Sequence, residues 1–107
     1  MKSIKDYINE TKVDINKYYV NILDLKDGDN IILGWIDEDG DAYPYNVIVK
    51  KHNDDVVFVN PDDDRDILAW NAFINIEDKD KNNPKVAVFK NVKEAEKVCK
   101  YYNETLS

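Results

Sequence analysis

The stretch Gly34–Asn60, "GWIDEDGDAYPYNVIVKKHNDDVVFVN", decides the fold of this chain. Within it, "DEDGD" (Asp37–Asp41) carries an Asp-Gly pair that reaches the positive φ of a tight hairpin, and "KHND" supplies a second turn. Between the two turns, "AYPYNVIVK" alternates, with Tyr43, Tyr45, Val47 and Val49 on one face and Pro44, Asn46 and Ile48 on the other. Pro44 lacks a ladder donor and predicts an edge or bulge at that point. "DVVFVN" is a β-branched run of strand length.

Upstream, "NIILGWID" is apolar on both faces, Ile31, Leu33 and Trp35 on one and Ile32 and Ile36 on the other. Such a strand is central or covered on both sides. Gly34 inside it predicts a bulge or bend. "KYYVNILDL" reads as an earlier strand, joined to it by a hairpin at "KDGD" (Lys26–Asp29). Downstream, "ILAWNAFINI" alternates Leu68, Trp70, Ala72, Ile74 and Ile76, which predicts a strand; the competing reading is a helical turn carrying Leu68 and Trp70, capped by Asp64 or Asp66. "EDKDKNNP" is a loop and "KVAVFK" a sixth strand.

Helix signals stand at both ends. Ser3 caps a short first helix with Ile4, Tyr7 and Ile8 on one face, ending by Lys12. "NVKEAEKVCKYYNETL" has Asn91 as cap, Glu94 three residues on, and a stripe of Val92, Ala95, Val98, Cys99 and Tyr102. The fold class expected is therefore α+β: one domain over residues 1–107, with an antiparallel meander of about six strands, curled or closed, flanked by a short N-terminal and a longer C-terminal helix. In rhythm of strands and turns it resembles SH3-like and Sm-like barrels, a likeness of architecture that carries no function.

Composition limits what such a domain does. Apolar residues are 43% of the chain, enough for a folded core at 107 residues. "MKSIKDYINE" has no apolar run of the signal-peptide kind, and no window approaches the ~20 apolar residues of a membrane span, so a soluble cytoplasmic protein is expected. The single Cys99 excludes an internal disulfide and a multi-cysteine zinc site, and its place in the helical stripe makes it a core residue.

Charge is the most distinctive property. The net charge is −7, and residues 24–66 hold thirteen acids against four bases while the remainder is slightly basic. That distribution disfavours direct binding to nucleic acid, which needs a basic footprint, and favours a basic partner.

The acidic runs do not form recognised catalytic or metal motifs. Calcium loops place Gly at the sixth position and a bidentate Glu at the twelfth. Counting from Asp37, Asp62 or Asp78 gives Ala42, Ile67 or Asn83 at the sixth and Ile48, Phe73 or Phe89 at the twelfth. Pro61-Asp62 followed by Glu77-Asp78-Lys79 spells a PD-(D/E)xK nuclease signature, but in a chain this rich in Asp and Lys the match is cheap. His52 lies between Lys51 and the turn residues Asn53 and Asp54 and reads as an exposed side chain, and neither GxSxG nor a P-loop is present. A non-enzymatic protein without a cofactor is expected.

Binding remains. Asp outnumbers Glu sixteen to six, and most of the Asp fall at predicted turns, as turn chemistry alone produces. In a meander alternate turns share an end, so "DEDGD" and "NPDDDRD" are expected as neighbours. The expected partner-binding set is Asp37, Glu38, Asp39, Asp41, Tyr43, Asp62, Asp63, Asp64 and Asp66. A dense row of carboxylates imitates a phosphate backbone and fits the basic groove of a nuclease or other nucleic-acid-binding enzyme. In profile the chain resembles many phage-encoded inhibitors of such enzymes, including anti-CRISPR proteins; the likeness covers no aligned segment. The competing expectations are an assembly subunit associating through its sheet or aromatic surface, and a small-ligand site around Trp35 and Trp70.

Overall fold

A computed structural model describes residues 13–53, 55–76 and 84–105. The predicted first helix, the "EDKDKNNP" loop, the Asp78 calcium register and the Glu77–Lys79 half of the nuclease signature all lie outside the described residues or mostly so.

The predicted pair of hairpins forms. Strand β2 (Asn30–Ile36) pairs antiparallel with β3 (Ala42–His52) in an unbroken register from Asn30↔Ile48 to Ile36↔Ala42. β3 then pairs with β4 (Asp55–Asn60), and β4 with β5 (Asp63–Leu68). Gly40 at the first tip has φ +86°, and Asn53 at the second has φ +56°, the left-handed conformation these turns require. Pro44 sits opposite Gly34 without a bulge, and the edge expected there is found: β4 pairs with β3 only over Ile48–His52, so no strand flanks Pro44 on that side.

Elsewhere the expected meander is corrected. β1 is only Tyr19–Asn21, flanked by 3-10 turns at Ile15–Tyr18 and Ile22–Asp24. It pairs with β7 (Lys85–Phe89), which in turn pairs with β2, so the spatial order is β1-β7-β2-β3-β4-β5. The "KDGD" segment turns as predicted, with Gly28 at φ +91°, yet it closes no hairpin. It docks on β3 instead: the Gly28 N–H donates to Val49 O at 2.7 Å, and the Lys51 N–H donates to Asp27 Oδ1 at 2.8 Å. Lys51 Nζ reaches the carbonyls of Leu23 and Leu25, satisfying the end of the preceding 3-10 turn with a positive charge.

The strand predicted through 67–76 is corrected as well. Strand geometry ends at Leu68; Trp70–Ala72 is a 3-10 turn, and only Asn75–Ile76 returns to the sheet, as β6. The turn's N-cap is Ala69, with no capping side-chain hydrogen bond, so neither Asp64 nor Asp66 caps it. Beyond that turn the chain wedges between β2 and β7: the Ile74 N–H donates to Gly34 O at 2.8 Å, and the Ala87 N–H donates to Ile74 O at 3.0 Å. β7 thus pairs with β2 at Phe89 and Val88 and with β6 at Val86 and Lys85. The wedge explains Gly34 better than a bulge does. A Cβ there would lie 2.7 Å from Ile74 Cδ1 and 3.3 Å from Cys99 Sγ, so glycine lets the chain approach. The sheet is left open, with β1 and β5 as its ends, and the barrel expectation falls because no pairing joins them among the described residues.

Both faces of β2 are buried, as its sequence predicts. On one side Leu33 joins Val47, Val49, Phe58, Phe73 and Val86. On the other, Ala87, Phe89 and Ala42 pack with Ala95, Val98 and Cys99 of the helix α1 (Val92–Thr105). The helix starts where expected, with the Glu94 N–H donating to Asn91 Oδ1 at 2.8 Å. Val92, placed in the apolar stripe by spacing, is instead 53% exposed, because the first turn has not yet met the sheet. Near its other end Asn103 holds the helix to β3: its Nδ2 donates to Ala42 O at 3.0 Å and its Oδ1 accepts from the Ala42 N–H at 2.6 Å. No helix among the described residues is long and apolar enough to cross a membrane.

Candidate functional site

The two acidic segments leave the same end of the sheet. "DEDGD" is the β2–β3 tip, beyond Ala42; the β4–β5 turn at Pro61–Asp62 leaves the sheet level with Asn46, because Val59 pairs with Ile48. The predicted neighbours are therefore staggered along β3 by four residues, or about 13 Å at strand rise. A shallow cleft lined by Pro44, Tyr45, Asn46, Asn60, Pro61 and Asp62 lies between β3 and the lower turn.

The β2–β3 tip is built by Asp37. Its Oδ1 accepts the N–H groups of Asp39 and Asp41, both at 3.0 Å, and its backbone carbonyl accepts from Gly40 at 3.0 Å. This is a local Asx arrangement that fixes the turn. Tyr43 stands close to the same carboxylate. The charge of Asp37 is the first cause of a phenol held above the ordinary tyrosine pKa, followed by desolvation and the charges of Asp41 and Asp39. The Tyr43 ring is exposed beside the tip.

The second segment is not the loop that its composition suggests. Asp63, Asp64 and Asp66 belong to β5, an edge strand. Asn60 shapes the turn: its Oδ1 accepts from the Asp62 N–H at 2.9 Å, and its Nδ2 donates to Asp66 Oδ2 and to the Tyr45 hydroxyl, both at 3.3 Å. Asp63 Oδ1 accepts from the backbone N–H and from Nε of Arg65, each at 3.1 Å. Both partners are open to solvent, so the pair contributes at most about 1 kcal/mol.

The nine predicted residues therefore divide. Asp37, Asp63 and Asp66 hold local structure through their carboxylates, half-buried Asp41 is held to Asp37 through its backbone, and Tyr43 stands beside Asp37. Glu38, Asp39, Asp62 and Asp64 stand on exposed residues, and their carboxylates make no hydrogen bond or ion pair among the described residues. Sequence reading missed Asn60 and Arg65, although an Asn just before Pro-Asp-Asp is a recognisable Asx-turn signal.

Other chemistry finds little support in this geometry. His52 is exposed at the end of β3. Among the described residues no group of three or more His, Cys, Asp or Glu side chains is arranged to hold a metal ion. Cys99 is 2% exposed, and burial pushes its thiol up to about 11, the behaviour of a packing residue. Trp35 and Trp70 flank a packed aromatic row in which Tyr45 meets Trp35 at 5.9 Å and Phe73 meets Phe58 at 5.4 Å. Compared with family models, with curated proteins and with solved structures, the chain matches none.

Proposed function

We propose that this chain is a non-enzymatic binding protein whose acidic end engages a basic protein surface. The observation that carries the reading is the convergence of two acidic segments on one end of the sheet. Residues 37–41 and 62–66 together hold eight carboxylates and one base, Arg65, which pairs with Asp63 at the surface. Four of the unengaged carboxylates stand on exposed residues of two turns and a strand whose backbone is already ordered, so little backbone freedom is lost when they meet a partner. A staggered row of this kind suits the groove of a nuclease or other nucleic-acid-binding enzyme, the carboxylates standing in for phosphates. The protein would then act as an inhibitor of the phage-encoded, anti-CRISPR kind.

The test is capture from a bacterial lysate on the immobilised protein at low and high salt, with and without duplex DNA as competitor. Nucleic-acid-binding proteins are expected on the column at low salt, displaced by DNA or by salt. Changing Glu38, Asp39, Asp62 and Asp64 together to Lys should remove them while the melting temperature holds. A partner retained at high salt by that variant would refute the acidic-end reading and point to association through the sheet or aromatic surface.

A further inference from the structure

The two ends of the open sheet are unlike. β1 is three residues long and stands next to the 3-10 turn Ile15–Tyr18. β5 is six residues long, and among the described residues no strand pairs with its outer side. Its Asp64, Arg65, Asp66 and Ile67 are all exposed, Ile67 at 61%. The β4–β5 register also breaks between Val59 and Asn60: Asn60 pairs with Asp63 and Val59 with Ile67, which leaves Asp64–Asp66 without partners on β4. An unpaired strand edge is a template for another strand, and its side chains decide which one; the Arg65 N–H, held by Asp63 Oδ1, is not among the groups an added strand could take.

Here the side chains exclude the commonest wrong partner. Two copies of β5 meeting edge to edge would bring together Asp63, Asp64 and Asp66 of each against one Arg65 apiece, and an excess of like charges across a strand pair is destabilising. A segment that places Lys or Arg along this edge and an apolar side chain against Ile67 meets the opposite situation. We propose that β5 receives an extended basic segment of the partner as an added strand, continuing the sheet past its acidic edge. The inference rests on the basic-partner reading above and adds the mode of contact. Charge selects the segment, and main-chain hydrogen bonds hold it.

A short peptide alternating lysine and valine is the probe, set against its fully backbone-N-methylated counterpart, which keeps the charges and loses every ladder donor. Binding is read by fluorescence anisotropy at low salt and by backbone amide shifts of the protein. The unmodified peptide should bind and move the amides of Asp63–Leu68 most, and the methylated one should bind at least about tenfold more weakly. Equal binding of the two peptides, or shifts centred on Asp37–Asp41, would overturn strand addition while leaving the acidic end as a binding surface. If neither peptide binds, the basic-partner reading fails and the added strand with it.

Discussion

The half of the sheet around β2 and β7 and the half around β4 and β5 are made by different rules. In the first, each residue is specified by what it touches: Gly34 by Ile74 and Cys99, Ala87 by Ile74, and Leu33 by the aromatic row beneath it. In the second, the inner residues Phe58 and Val59 are buried while the outer strand is specified by local hydrogen bonds and by charge. One core, joining Leu33 to Phe58, runs under both halves, and the difference lies in the outer strand β5, which is left exposed.

Truncations should break or sharpen this contrast. Phe73→Ala, at a fully buried ring packed edge-on against Phe58, should cost about 3–5 kcal/mol in denaturant unfolding. The equally apolar change Ile67→Ala on β5 should stay within about 0.5 kcal/mol. Comparable losses at the two sites would erase the distinction.

Overpacking comes next. Gly34→Ala should cost about 1–3 kcal/mol, since the new methyl meets Ile74 Cδ1 at 2.7 Å. Ile74→Val deletes that carbon, so the double variant should be more stable than the sum of the two single changes predicts. Strict additivity would mean that the wedge does not depend on this contact.

Asp37→Ala should cost about 1 kcal/mol, because it removes the acceptor for two turn N–H groups. Asp39→Ala, at a carboxylate without such bonds, should leave stability unchanged. The comparison separates an acid that builds the tip from one that does not.

The smallest effect is one of slope with pH. The folded Cys99 thiol holds its proton to about pH 11. In an unfolded chain it releases the proton near about 8.5. Its contribution is therefore fully present below the unfolded value and is lost as pH rises through the folded one. Tyr18 and Tyr19, whose phenols are raised by burial first, add slope in the same direction. Stability curves over this alkaline range should be flatter for Cys99→Ala than for the unaltered protein.

What could be read from the sequence follows the same division by cause. β2, β3, β4 and the helix start were legible because periodicity and turn residues are local, as in Asn91 capping Glu94. The pairing of β7 with both β1 and β2 was not, since Ile32 meets Phe89 across most of the chain and nothing near either residue announces it. Alternation through Leu68–Ile76 misled because Phe73 and Ile74 are both fully or nearly fully buried, one on each side of the sheet, which a strand with one buried face does not produce. For the acidic end, spacing located the carboxylates but not the hydrogen bonds that engage three of them.

The place of β7 in the sheet has a consequence for how the chain acquires its structure. Residues 85–89 lie second in spatial order yet are the last strand in sequence, so β2 keeps one edge open until they arrive. The β2–β3–β4 hairpins close over short loops and can form early, whereas β1 has no partner strand until β7 is placed. Of the described strands, β7 is therefore the last that synthesis on the ribosome can deliver to the sheet, after the β2–β3–β4 hairpins.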